Sequence, residues 1–259
     1  MSRNFELMQR AGKAWSVPPV IPVEKTRPGL SIRKREILAT VPRHEGGLDI
    51  AHLAREEALR LVQGVFLLPA EAAPRLVVFA GIDHGNGCSR ICSEAAKILE
   101  NQVSGSVCLV EANFRSPSLP KLLGTTNHHG LTDSLIADGP IRAFARPLYS
   151  EKFWLLSSGS ITVDSHALLS SSRLLNRFDE LRSEFDYVVV DAPPLTHYSD
   201  AIALGKAADG FVLILEANST RREAAVKISE NLRANQVRIL GAVLNKRTFP
   251  IPDRLYRTL

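Results

Sequence analysis

Ile50, Ala54, Ala58, Leu61, Val62, Val65 and Phe66 recur at spacings of three and four, which predicts a helix that docks one apolar stripe on a core. Arg75-Leu-Val-Val-Phe-Ala follows, a short apolar run rich in β-branched residues that stops at Gly81, the pattern of a strand buried on both faces. Beyond a loop holding Gly85 and Gly87, Ile91, Ala95, Ala96 and Leu99 predict a second helix. The alternation then repeats. Ser106 to Val110 reads as a strand, and Val163 to Phe185 holds a helix with Leu174, Phe178, Leu181 and Phe185 on one face. Tyr187 to Val190 is a strand, Ala201 to Ala208 a short helix, Gly210 to Leu215 a strand, Thr220 to Asn235 a helix and Ile239 to Leu244 a last strand. Such alternation implies right-handed crossovers, hence an α/β fold with a mostly parallel sheet between two layers of helices.

Residues 1 to 47 break this rhythm. Pro18, Pro19, Pro22 and Pro28 forbid regular structure, so the segment reads as a flexible appendage and 48 to 259 as the folded domain. Charge sharpens the division. Of the net +5, residues 1 to 45 carry nine Lys or Arg against four Glu, and Lys246 to Leu259 carries four basic residues against Asp253. Basic ends around a near-neutral body suit an acidic partner or an anionic membrane surface better than a DNA-reading face, so no sequence-specific nucleic acid is expected. Ordinary solubilising charge accounts for the same pattern equally well.

With 45% hydrophobic and 23% charged residues, the chain has the composition of a soluble globular protein. No apolar run approaches the ~20 residues of a membrane-spanning helix, and the first residues lack the layout of a secretory signal. Cys88, Cys92 and Cys108 are too few for a disulfide framework and fit a reducing compartment. A cytoplasmic protein is therefore expected, peripheral at most on the inner face of the plasma membrane.

In parallel sheets, ligands bind beyond the carboxyl ends of the strands. The turn Gly81-Ile-Asp-His-Gly-Asn-Gly-Cys-Ser-Arg90 occupies such an end, where glycines let backbone N–H groups close around phosphate at a helix N-terminus. Glycine-rich turns also arise for purely steric reasons. Cys88 and Cys92 stand four apart on a helix without further ligands and are expected to pack, not to hold zinc. His128-His129 is expected at the surface of a loop, and Ser157-Ser158-Gly159-Ser160 lacks the context of a nucleophile elbow.

From Glu56 to Leu259 the sequence resembles the bacterial tyrosine kinases of capsular and exopolysaccharide synthesis, a MinD/ParA-like branch of the P-loop ATPases. The family loop Pro-Gly-Glu-Gly-Lys-Ser-Thr corresponds to His84-Gly85-Asn86-Gly87-Cys88-Ser89-Arg90. The resemblance implies nucleotide binding by Gly85, Asn86, Gly87, Cys88, Ser89 and Arg90, with Ser89 on Mg²⁺. The loop lysine is absent, replaced by Cys88. A charge-assisted contact is worth ~1.5–3 kcal/mol, so its loss lowers ATP affinity by about one to two orders of magnitude. The family's second acidic motif, Asp-Ala-Asp-Leu-Arg-Arg-Pro, corresponds to Glu111-Ala-Asn113-Phe-Arg115-Ser-Pro117. Both aspartates are changed at positions that in the family hold Mg²⁺ and activate the attacking hydroxyl. Tyr187-Val-Val-Val-Asp191 looks like the Walker-B strand, implying that Asp191 positions Mg²⁺. Asn245 matches the asparagine placed against adenine.

Glu57 and Arg60 follow the family's Glu-x-x-Arg-x-x-Arg oligomer-contact helix, in which Gln63 replaces the last arginine, and a homo-oligomer is implied with that departure. The family's terminal tyrosine cluster is reduced to Tyr256, the autophosphorylation candidate. These features imply a degenerate kinase-like regulator of polysaccharide synthesis and export. It would dock on a membrane-embedded chain-length or export protein, with ATP and Mg²⁺ binding weak or lost. Two alternatives stay open: an active autokinase using Glu111, Asp191 and Ser89, and a MinD/ParA-type partitioning ATPase.

Overall fold

A computed structural model describes residues 50–67, 73–160, 165–169 and 171–247. The expected appendage over residues 1 to 47 and Tyr256 lie outside the described residues. Helix α1 (Ile50–Phe66) precedes β1 (Leu76–Gly81), α2 (Cys88–Gln102) and β2 (Val107–Glu111). Short helices α3 (Leu119–Leu122) and α4 (Leu131–Ile136) and a 3-10 turn at Ile141–Phe144 lead to β3 (Arg146–Leu148) and β4 (Ser150–Leu156). The chain continues through α5 (Ser165–Leu168), α6 (Ser172–Glu184), β5 (Tyr187–Ala192), α7 (Asp200–Ala207), β6 (Gly210–Glu216), α8 (Arg222–Ala234) and β7 (Ile239–Asn245).

These strands form one seven-stranded sheet in the order β3-β4-β2-β5-β1-β6-β7, parallel except where β3 meets β4. Successive side chains leave opposite faces, and both faces are covered. On one, Leu76, Val78, Val110, Val190 and Leu213 pack against Leu135, Phe178, Leu181, Leu204 and Leu232 of α4, α6, α7 and α8. On the other, Val77, Phe79, Leu109, Val189 and Ile214 meet Val62 and Phe66 of α1 and Ala95 and Leu99 of α2. The fold is the expected three-layer α/β/α arrangement. Each fully buried Val, Leu or Phe contributes about 1.5–3 kcal/mol relative to exposure.

At the amino ends of the strands, polar groups are densely paired. The Asp209 carboxylate accepts from the backbone N–H groups of Arg75 (2.9 Å) and Leu76 (2.8 Å) and from the Arg182 guanidinium (3.0 Å). Arg75 in turn donates to the carbonyls of Arg182, Phe185 and Asp186, the open end of α6. Burial alone would raise the Asp209 carboxyl, yet these donors hold it below the usual carboxylate range. Arg177, 6% exposed, closes the end of α4 by donating to the carbonyls of Ser134, Ala137 and Gly139.

Several local expectations are corrected. The β3–β4 hairpin, with Tyr149 at its tip in the left-handed region (φ 35°), is not signalled by the hydrophobic pattern. The helix expected within Val163 to Phe185 is α6, with Leu174, Phe178 and Leu181 buried along it, and a second, short helix, α5, precedes it. Ser171 separates them, its hydroxyl donating to the Leu168 carbonyl at 2.6 Å and competing with helical hydrogen bonding. In α1, Val62, Val65 and Phe66 are buried as the stripe requires, whereas Ala54 is exposed.

Candidate functional site

The loop between β1 and α2 is shaped by its glycines. Gly85 (φ 78°) and Gly87 (φ 82°) both take left-handed backbone, and Gly87 caps the N-terminus of α2. The left-handed conformation demands glycine at 87, and a Cβ there, 2.5 Å from Asn245 Nδ2, would also displace that side-chain amide. Asn86, 2% exposed, braces the turn. Its Oδ1 accepts from the Asp83 N–H at 2.6 Å, and its Nδ2 donates to Glu216 Oε2 at 3.2 Å. Glu216 is paired with Lys246 at 3.0 Å. Asn245 Nδ2 donates to the Asn86 carbonyl at 2.8 Å. The loop is thereby tied to the ends of β6 and β7 before any ligand arrives. Asn245, expected to face a base, spends its amide N–H on the loop backbone in this structure.

Two carboxylates meet beside the start of α2 because of strand register. Glu111 on β2 and Asp191 on β5 are direct partners at the carboxyl end of the sheet, so their side chains leave the same face. Both residues are fully buried. One oxygen of Glu111 accepts from the N–H groups of Ser118 (2.9 Å) and Leu119 (2.6 Å) and thus caps α3. Its other oxygen, and both oxygens of Asp191, have no hydrogen-bond partner. Burial, then the charge of Asp191, pushes the Glu111 carboxyl far up. Burial also raises Asp191, although the Ser89 hydroxyl, the Cys88 thiol and Glu111 stand close enough to pull the other way. Cys88 is half-buried as a residue, but its thiol is enclosed. Burial, followed by the Asp191 charge, drives that thiol well above its ordinary value. The resemblance expects a lysine at this position, and the chain carries a neutral S–H there.

The other expected residues fall in different places. Ser89 adjoins Asp191, and Arg90 is exposed one residue further on. Asn113, 9% exposed, turns its Oδ1 back to the Ser116 N–H at 3.3 Å and shapes its own turn. On α1, Glu57 and Arg60 are exposed and paired with each other at 2.9 Å. Cys92 is buried among α2 core residues, as a packing role requires. His128 and His129 are exposed. Ser157 to Ser160 fasten β4 to α4: Thr132 donates its N–H and its hydroxyl to the Ser158 carbonyl, and Asp133 accepts from the Ser160 N–H at 3.1 Å.

One further cluster has no signature in the sequence. Thr196 donates its N–H (3.0 Å) and hydroxyl (2.7 Å) to the Ile82 carbonyl, stitching the loop after β5 to the loop after β1. This brings His197 against His84, with ring centroids 5.4 Å apart and planes 22° apart. Tyr198 meets both edge-on, at 5.8 Å and 6.0 Å. The Arg115 guanidinium lies 3.8 Å over the Tyr198 ring and pairs with Asp200 at 3.2 Å. Three separate loops supply these residues, so no spacing in the chain announces them.

Chemically, the arrangement joins a left-handed glycine turn at a helix N-terminus to three bare, buried carboxylate oxygens. The turn suits a phosphate group. Bare carboxylate oxygens suit a hydrated divalent cation, which prefers oxygen donors and keeps several waters. Without such a cation, an ionised Asp191 repels phosphate. Among the described residues no cluster of three or more His, Cys, Asp or Glu forms a metal-binding group, so a cation here would rely on the phosphates as well.

No family model matches the chain. The tyrosine-protein kinase YwqD of Bacillus subtilis is 30% identical over 161 residues, covering 62% of this chain and 68% of that protein. The chain belongs to the bacterial tyrosine-protein kinase family. The succinoglycan biosynthesis transport protein ExoP of Rhizobium meliloti is 28% identical over 181 residues, which are 68% of this chain but only 23% of ExoP. Relatives of the chain thus include proteins far longer than the segment they share with it. Among solved structures, the kinase domain of the Escherichia coli tyrosine kinase ETK superposes with a TM-score of 0.71 at 20% identity, covering 83% of this chain and 88% of that one. MinD of Pyrococcus horikoshii, solved with Mg-ADP, gives a TM-score of 0.58 at 17% identity over 71% of this chain and 76% of its own. The kinase family and the MinD-type ATPases share this sheet.

Proposed function

We propose that the chain is a regulatory member of the kinase family in exopolysaccharide or capsule assembly, whose ATP turnover is weakened or lost. It acts by docking on a membrane-embedded chain-length or export protein. The observation that carries this reading is the enclosed, neutral Cys88 thiol beside the buried, bare Asp191 carboxylate, at the place where the family's loop carries a cation. A phosphoryl group entering there meets the dipole of α2 and backbone N–H groups but no lysine charge. Gly85, Asn86, Gly87, Ser89 and Arg90 would still surround a nucleotide, and Ser89 and Asp191 would hold Mg²⁺, which if bound would neutralise phosphate charge. Glu111 and Asn113 stand at the family's catalytic aspartates, the first committed by one oxygen to capping α3 and the second to its own turn. Burial and the neighbouring Asp191 charge raise the Glu111 carboxyl so that it keeps its proton, and Asn113 is an amide, so neither is set to take a proton from an attacking tyrosine hydroxyl as the family's aspartates do. Among the described residues no helix is long and apolar enough to cross a membrane, which fits a protein recruited by a partner.

Incubation of the full chain with γ-labelled ATP and Mg²⁺, with and without the cytoplasmic segment of its export partner, tests this. Label at the level of a heat-denatured control is expected in both arms. Label accumulating on Tyr256 or any other tyrosine would establish the autokinase reading instead.

A further inference from the structure

Every family feature of the loop concerns its own backbone and its missing lysine, yet the rim beside it carries cationic and hydrogen-bond-donating side chains. His84 immediately precedes Gly85, and the stitch from Thr196 to Ile82 holds His197 on its ring. Arg115, seated on Tyr198 and anchored by Asp200, closes the third side. His84 and His197 are exposed, while Tyr198 is half-buried beneath the guanidinium. Imidazoles donate N–H bonds in either protonation state, and arginine keeps its charge, so all three can serve phosphate oxygens. The order β2-β5-β1-β6-β7 sets their place. Asn245 and Glu216 hold the loop from the β6–β7 side, whereas Arg115, His197 and Tyr198 follow β2 and β5 on the opposite side. A nucleotide with its base toward Asn245 therefore runs its phosphates across the loop toward the histidine pair.

We propose that His84, His197 and Arg115 form a rim that recognises the terminal phosphate of a nucleoside triphosphate, making the pocket a sensor of triphosphate over diphosphate without the loop lysine. This deepens the nucleotide-site reading above and rests on it. The rim grips the end of the chain instead of the β–γ bridge, which favours occupancy and does little for cleavage.

Calorimetric titration of the full chain with Mg²⁺ and either ADP or the β,γ-imido analogue of ATP tests it, in the wild type and in His84→Ala/His197→Ala. Wild type should bind the triphosphate about tenfold more tightly than ADP, the scale of one charge-assisted contact. In the double variant the ratio should fall toward what Arg115 alone supports, with ADP affinity unchanged, and Arg115→Gln should lower the ratio in the same direction. Should the double variant melt early, His197→Asn, confined to the exposed ring, carries the comparison. An unchanged ratio, or equal loss for both nucleotides, would overturn the rim while leaving the nucleotide site standing. Wild type that binds neither nucleotide would remove the site and the rim together.

Discussion

Strand β5 begins and ends beside an aspartate, and the two have opposite fates. Asp186, at the amino end, accepts from the N–H and hydroxyl of Ser106 at 2.8 Å and 3.0 Å, and these bonds hold its carboxyl below the usual range. Asp191, at the carboxyl end, is fully buried with both oxygens bare, and burial raises it. The amino ends of the sheet are a finished structure in which arginines close helix ends and carboxylates cap strand starts. The carboxyl ends leave polar groups unsatisfied at a cost to stability, which is where folds place their sites.

If that division is right, substitutions at the two ends should separate stability from binding. Phe185→Ala, at the amino end where the ring packs on Trp154, should cost about 3–5 kcal/mol in denaturant unfolding and leave nucleotide affinity unchanged once folded. Asp209→Ala strands the buried Leu76 N–H and should cost about 1–3 kcal/mol by the same measurement. Asp191→Asn should do the reverse, leaving the metal-free protein as stable or more stable while abolishing any Mg²⁺-dependent gain in thermal midpoint. Equal destabilisation by Asp209→Ala and Asp191→Asn would erase the contrast.

The same contrast appears gradually, in pH. Glu111 and Asp191 have raised carboxyls in the folded state, so the folded protein binds more protons than the unfolded one above about pH 4. The stability they contribute is fully present below the unfolded values and is lost as pH rises through the folded ones. Unfolding free energy in the absence of metal should therefore decline from mildly acid to mildly alkaline pH, by about 1.4 kcal/mol per pH unit wherever the folded protein holds one extra proton. Glu111→Gln should flatten the decline. A stability that climbs over that range would show that the carboxylates are satisfied after all.

The sequence made much of the sheet legible for a specific reason. Strands such as Leu76–Gly81 and Tyr187–Ala192 are buried on both faces, so their composition announces them without neighbours. The β3–β4 hairpin is partly exposed and begins Arg146-Pro147, where proline weakens a strand signal. Helix α3 spans four residues with Pro120 inside its first turn and is too short for periodicity. At the site, the glycine frame and Asp191 could be read from local order. Glu111 lying opposite Asp191 depends on parallel register, and the His84–His197–Tyr198–Arg115 cluster on three loops converging. Neither is encoded in any spacing. The one available hint was His84 standing where the family has proline.

Shape without charge is the core of this account, and Cys88→Lys tests it most directly. Calorimetric titration with Mg²⁺-ATP should show weak binding by the wild type and affinity about ten- to a hundredfold higher in Cys88→Lys, the worth of one restored charge-assisted contact. Identical affinities would mean that the loop no longer cradles phosphate. Tight binding by the wild type would mean that the lysine was never missed.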